Sequence, residues 1–360
     1  MTPVSQTMND VFSQAGAALA GDGIPLHFGD QAGEVDAGLN AAILMDRSHE
    51  GRLRLEGRDR LALPHRISTN AVETLAPGAA APTIFTNPNA RIIDRVTLCN
   101  LGETALMLTE PGRGDAVAGH LRRNIFFNDD LRVSDARPGT RQFVLIGPQA
   151  AAVATKLGLN LEPLHGVETD LKGTAATVLR DKPFGGDPRL DPWRFILREE
   201  DAVQAWAALI EAGGDVGLRP AGSLAYHALR VLSGRPGINA ELSTEYIPLE
   251  VGLWDEISFT KGCYVGQEII ARMESRGRLA RTIVRVRMDT PVTTPAVLRS
   301  DGREVGRLTS AVQLRQGEVV GIAVVKLALA TPGSTLMTDS GASVAILDRA
   351  GSQPELDAET

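Results

Sequence analysis

Hydrophobic and polar positions alternate in short runs over the first three quarters of the chain, and they predict strands and helices in alternation. At 52–56, Leu53 and Leu55 stand between charged neighbours, the two-residue period of a half-exposed strand. Gly57 and Asp59 open a helical stretch that Pro64 interrupts. Residues 84–86 and 91–99 flank the turn Asn87-Pro88-Asn89 and predict a β-hairpin, with Ile93, Arg95, Thr97 and Cys99 on one face of its second strand. Residues 105–109 and 142–146 read as further strands, 116–123 and 149–157 as helices, the latter closed by Gly158. Strands are expected again at 176–179 and 193–198, where Trp193, Phe195 and Leu197 alternate with Arg194, Ile196 and Arg198. The clearest helix follows, with Val203, Trp206, Ala207 and Ile210 on one stripe, Asp201 as its cap and Gly213-Gly214 as its end. Residues 223–232 predict a helix buried through Leu224, Ala228 and Val231, which leaves Tyr226 and Arg230 off the apolar stripe. Residues 267–276 predict another, with Ile269, Ile270 and Met273 as its apolar positions.

From Arg281 onward the pattern becomes strand-like. Thr282, Val284, Val286 and Met288 alternate with Ile283, Arg285 and Arg287. A hairpin turn at Asp301-Gly302 and further strands at 319–329 and 343–347 complete a small antiparallel barrel or sandwich. At 360 residues, two or three domains are expected. Residues 1–24 are expected to be a flexible lead-in and the polar residues 351–360 a disordered tail.

Composition narrows the function classes. The net charge is −7, which argues against broad nucleic-acid binding. No apolar run reaches the roughly 18 residues of a membrane span, so no membrane association is expected. The amino terminus shows no basic segment ahead of an apolar stretch, and two cysteines build no disulfide framework; a reducing cytoplasm is the expected compartment. The six histidines show no ligand spacing, so no metal site is expected.

The most informative stretch is Lys261-Gly262-Cys263-Tyr264-Val265-Gly266-Gln267-Glu268. Two glycines bracket a cysteine just ahead of a helix amino terminus, and Lys261 lies two residues away. A cation and the positive end of a helix both favour the thiolate, which is the reactive form. A buried, inert cysteine is the competing reading of the same residues. Six arginines between 272 and 287 (Arg272, Arg276, Arg278, Arg281, Arg285 and Arg287) form either a patch for an anionic tail or partner, or a set of solvated surface charges.

The segment from Lys261 to Arg272 resembles the signature of the YgfZ-type folate-binding proteins, which assist iron–sulfur cluster assembly and repair and are similar in fold to the aminomethyltransferase (T-protein) of glycine cleavage. Tyr246-Ile247-Pro248-Leu249-Glu250 is similar to the proline–glutamate segment of both groups. Gly217-Leu218-Arg219-Pro220, leading to Leu229-Arg230, resembles the T-protein helix entry and its arginine, and His27-Phe28-Gly29-Asp30, Asp46-Arg47-Ser48 and Gly57-Arg58-Asp59 resemble the opening of the fold. The likeness extends over about residues 25 to 350.

This resemblance implies an α+β fold with two ferredoxin-like subdomains, at 25–147 and 148–277 and free to interleave, and a C-terminal antiparallel β-barrel at 278–350, arranged as a ring around a central channel. It implies tetrahydrofolate, or another reduced folate, as cofactor. Glu250, Arg230, Asp94, Tyr246 and Gln267 would contact it, a carboxylate suiting the pterin edge and an arginine the anionic tail. Cys263 would be the functional thiol, assisted by Lys261, and iron–sulfur proteins or their assembly factors the partners. Two departures weigh on the alternative, a folate-dependent aminomethyl- or methyltransferase. T-proteins carry adjacent aspartates where this chain has Asp94-Arg95, and residues 194–200 lack the glycines of their glycine-threonine-glycine-glutamate segment.

Overall fold

The computed structural model of the chain describes residues 6–276 and 279–354. By its contacts the chain divides into two units. One comprises the residues up to Leu63, Thr74–Ala81 and Val96–Leu229; the other comprises Pro64–Glu73, Pro82–Arg95 and the chain from Arg230 onward.

The first unit is built around a six-stranded sheet in the order His165–Asp170, Ala175–Arg180, Trp193–Arg198, Thr140–Ile146, Ala42–Asp46 and Leu218–Pro220. Its neighbours run antiparallel except the last pair, which is parallel. Thr140–Ile146 bonds to Ala42–Asp46 on one side and Trp193–Arg198 on the other, so the sheet interleaves chain from both sides of the expected boundary at 147/148. Helix Ala202–Gly213 covers one face, and its Trp206 ring meets Phe12 and Phe143 edge-on at 5.2 and 5.1 Å. Edge-on aromatic pairs add to the area they bury. Asp201 does not cap this helix through its side chain; its carboxylate pairs with Arg198 at 2.9 Å.

The expected flexible lead-in is corrected here. Met8–Gln14 is a helix started by a reciprocal Thr7–Asp10 capping box, and it buries Met8 and Phe12. Seven residues are too few to register as helical periodicity, and the packing of Phe12 in the core decides the outcome.

A second sheet runs in the order Ala80–Thr86, Ile92–Asn100, Thr104–Pro111, Glu50–Glu56 and Arg132–Asp135. The expected hairpin is its first pair, and the turn is held by the Asn87 side chain, whose Oδ1 accepts from the amides of Asn89 and Arg91 at 2.9 and 3.0 Å. Pro64 does not stop helix Ala62–Ile67, because it sits in the first turn, where no intrahelical N–H is required.

The second unit carries a closed six-stranded antiparallel barrel: Arg281–Met288, Val319–Lys326, Arg303–Gln313, Ala296–Ser300, Thr335–Thr338 and Ser343–Arg349. Val284, Val286 and Met288 point into it with Leu298, Leu308 and Val325, while Ile283, Ile322 and Val324 face outward onto Tyr246, Val251 and Leu253. The chain is therefore mixed α+β with a C-terminal barrel, as the resemblance implies. The expected disordered tail is corrected at its start: the Ser352 amide donates to the Gly252 carbonyl at 2.8 Å, and residues 355–360 lie outside the described residues.

Candidate functional site

The cysteine loop belongs to the second unit and is fastened at both ends. Gly266 has φ +87°, and a Cβ there would come within 2.8 Å of the Ala90 Cα and the Asn87 carbonyl oxygen. Only glycine combines that φ with that closeness. The Thr86 hydroxyl donates to the neighbouring Val265 carbonyl at 2.5 Å. At the other end, the Lys261 ammonium donates to the carbonyls of His65, Ser68 (2.7 Å) and Asn70 (3.2 Å). Between these anchors Cys263 is exposed, four residues ahead of helix Gln267–Arg276. The competing reading of a buried thiol holds for Cys99 instead, where burial, with Asp181 adding to it, pushes the thiol up to about 12.

Lys261, expected to assist the thiol, uses its three donors on backbone oxygens and so anchors the loop. Burial pushes its ammonium down to about 8, against a smaller upward pull from Glu73. Gln267 also serves the loop: its Oε1 accepts the Tyr264 amide at 3.3 Å, at the start of its own helix.

The other expected folate contacts do not gather into one open set. Glu250 is buried, and its oxygens accept from Arg281 Nε and Nη2 at 2.9 and 3.1 Å, from Arg91 at 3.3 Å and from the Ile247 amide at 3.1 Å. That carboxylate is occupied by a bidentate guanidinium and is not available to grip a pterin edge. Tyr246 is buried beneath Arg281, whose guanidinium lies 5.2 Å from the ring centre. Arg230 is also buried; it donates to Ser310 Oγ at 2.8 Å and to Glu241 at 3.3 Å. Glu241 in turn accepts from Thr309 (2.5 Å), Ser310 (2.7 Å) and the Gly237 amide (2.8 Å). Arg230 thus ties its helix end to a barrel strand and is not a free cation. Asp94 is buried on its strand, and the adjacent Arg95 forks onto Glu256 at 2.7 and 2.8 Å.

Of the six arginines read as a patch, three are paired. Arg281 pairs with Glu250, Arg285 with Asp348 and Arg287 with Glu318, each across a neighbouring segment. Arg278 lies outside the described residues.

Sequence reasoning missed a charge network in the core of the first unit. Glu50 is buried and accepts from Arg47 Nε at 2.8 Å, from Gln142 Nε2 at 2.6 Å and from Arg194. Arg194 also donates to Asp181 at 2.8 Å, and the Arg47 guanidinium lies 3.7 Å from the centre of the Tyr226 ring. Burial opposes ionisation of Glu50, but Arg194 and Arg47 outweigh it and hold the carboxyl far below its ordinary range. The nearby His49 is pushed down to about 4, first by burial and then by Arg47. Among the described residues, no group of three His, Cys, Asp or Glu could hold a metal ion, and no helix is long and apolar enough to cross a membrane.

Comparison with known proteins agrees with this architecture. Residues 14–261 match the family model described as the GCVT N-terminal domain. A chloroplastic protein of Arabidopsis thaliana, whose name places it provisionally among the transferases, is 30% identical over 344 residues, covering 93% of this chain and 77% of its own. The aminomethyltransferase of Geobacillus kaustophilus is 28% identical over 349 residues, covering 91% and 92%. The crystal structure of the glycine cleavage system aminomethyltransferase T from Bartonella henselae superposes with a TM-score of 0.82 at 21% identity, over 96% of this chain and 97% of that one; at that identity the likeness concerns the fold. With most of its length matched by that model and by these relatives, the chain belongs to the GCVT N-terminal domain family, among aminomethyltransferase-like proteins.

Proposed function

We propose that this protein binds a reduced folate, tetrahydrofolate or a close derivative, and supports assembly or repair of iron–sulfur clusters with Cys263 as its functional thiol. The observation that carries the reading is the presentation of Cys263: an exposed sulfur on a loop fastened by Gly266 at one end and Lys261 at the other. A cysteine serving only to fill space sits as Cys99 does, in the core. In this reading the thiol works in the reducing cytoplasm, on iron–sulfur proteins or their assembly factors.

Folate binding rests here on family membership. Glu250 and Arg230 use their hydrogen-bonding atoms inside the protein, so the residues expected to hold the folate do not fit it as placed, and no chemical step is assigned to that group. Their part in this reading is positioning. The ion pair between Arg95 and Glu256 disfavours the aminomethyltransferase alternative, because a guanidinium stands where T-proteins carry a second aspartate beside a reacting amine.

Two measurements test the proposal separately. Calorimetric titration with tetrahydrofolate should give saturable binding, and flat heats at millimolar ligand would remove the folate half. Cys263→Ser should keep the wild-type melting temperature and folate affinity yet fail to restore iron–sulfur enzyme activity in a deficient host. Full restoration by the serine variant would remove the thiol half.

A further inference from the structure

Within the first unit, strands of the two sheets leave a cleft of about 330 Å³, lined mostly by apolar surface. Register explains its composition. Arg54 stands opposite Leu106 on one sheet, and Glu168, Thr177 and Ile196 form a cross-strand row on the other. Ala175, on the same strand face as Thr177, is small and leaves space beside that row unfilled. Thr177 adds a hydroxyl to a mostly apolar wall that Thr104, Thr140 and Thr169 also line.

Arg54 lies at the mouth with 46% of its side chain exposed. Among the described residues its side chain pairs with Glu168 alone, at 3.9 Å, beyond hydrogen-bond reach. A guanidinium offers five N–H donors in a planar fork that matches a carboxylate. Arg54 therefore has its fork available beside an apolar recess, and Glu168 is a loose internal competitor for it. Arg198, also on the rim, differs in being held by Glu200 and Asp201 at 2.6 and 2.9 Å. Pockets of about 300 Å³ and upward with an apolar lining and one or two directed polar groups are the usual form of small-molecule sites.

We propose that this cleft binds a small amphipathic monocarboxylate, its carboxylate forked by Arg54 and its hydrocarbon or aromatic body laid against Leu106 and Ile196. The proposal does not involve the cysteine loop and does not depend on folate binding. Electrostatics alone would attract any anion, but the apolar wall selects those with a body to bury.

The test is ligand-observed NMR and calorimetry on the full chain, with 3-phenylpropionate as probe and its uncharged amide as control. The acid should bind with a dissociation constant of about 1 mM or below, as its small size permits. The amide should bind at least tenfold more weakly, and so should the acid to Arg54→Gln. Thr177→Phe, which fills the recess and suits a strand, should abolish binding while Arg54 remains. Glu168→Gln, which removes the competitor, should tighten it. Circular dichroism melts verify that each variant is folded. No binding of the acid to wild type at 10-fold above about 1 mM would overturn the proposal, as would equal binding of the amide. Undiminished binding by folded Arg54→Gln or Thr177→Phe would do the same.

Discussion

Replacing Glu50 by Gln keeps the shape of the side chain and removes its charge. In the wild type that carboxylate is buried and faces two guanidinium groups, Arg47 and Arg194, together with the Gln142 amide. Without it, Asp181 remains as the partner of Arg194, and Arg47 keeps its stacking on Tyr226. Removing one member of a buried charge network costs about 3–5 kcal/mol, because the remaining charges are left desolvated. For a unit of this size that corresponds to a fall in melting temperature of roughly 6–20 °C. The assay is urea unfolding at pH 7, where the midpoint should drop with the slope unchanged.

The acid dependence supplies an independent sign. The folded-state carboxyl of Glu50 is held below its unfolded value of about 4.3. Its contribution is therefore fully present above that pH and is lost as the pH falls toward the folded value. The gap between wild type and Glu50→Gln should accordingly narrow between about pH 5 and pH 2. The substitution should also cost less in an Arg194→Met background, since the two side chains share one interaction. A loss under about 1 kcal/mol at neutral pH, or a gap indifferent to acid, would refute the reasoning.

Two further outcomes follow from the cysteines and from Arg95. Native protein treated with iodoacetamide should take up one label, at Cys263, and a second only on unfolding, because Cys99 is buried with its thiol pushed up to about 12; mass spectrometry of the digested protein reads this directly. Arg95→Asp would recreate the adjacent aspartates of T-proteins beside Asp94. It should destabilise the protein by about 3–5 kcal/mol in urea unfolding, since it breaks the fork on buried Glu256, and it should yield no aminomethyl transfer to tetrahydrofolate.

How the residues were legible depends on how many faces of each element are covered. The alternation at 281–288 carried over directly, because Val284, Val286 and Met288 fill the barrel. The alternation at 193–198 predicts the observed strand, yet it does not reveal that Arg194 is buried along with Phe195. A sheet covered on both faces places charged and apolar side chains alike in the interior, and period-two patterning carries no signal of that. Helix Ser223–Leu232 buries Ala228 and Val231 as expected, but Tyr226 and Arg230 are buried as well and Leu224 is 36% exposed, because this helix too is covered on more than one side.

By itself the chain determined many of its strands and helices, its carboxy-terminal barrel, its family likeness and the glycine-bracketed cysteine, because each is written in local spacing or backbone freedom. Tertiary structure decided which charges are spent. Glu250, Arg230 and Lys261 read in sequence as groups free to meet a ligand, and their partners come from residues 31, 80 and nearly 200 positions away. Hydrogen bonding and ion pairing depend on distance in space, and separation along the chain does not reveal them.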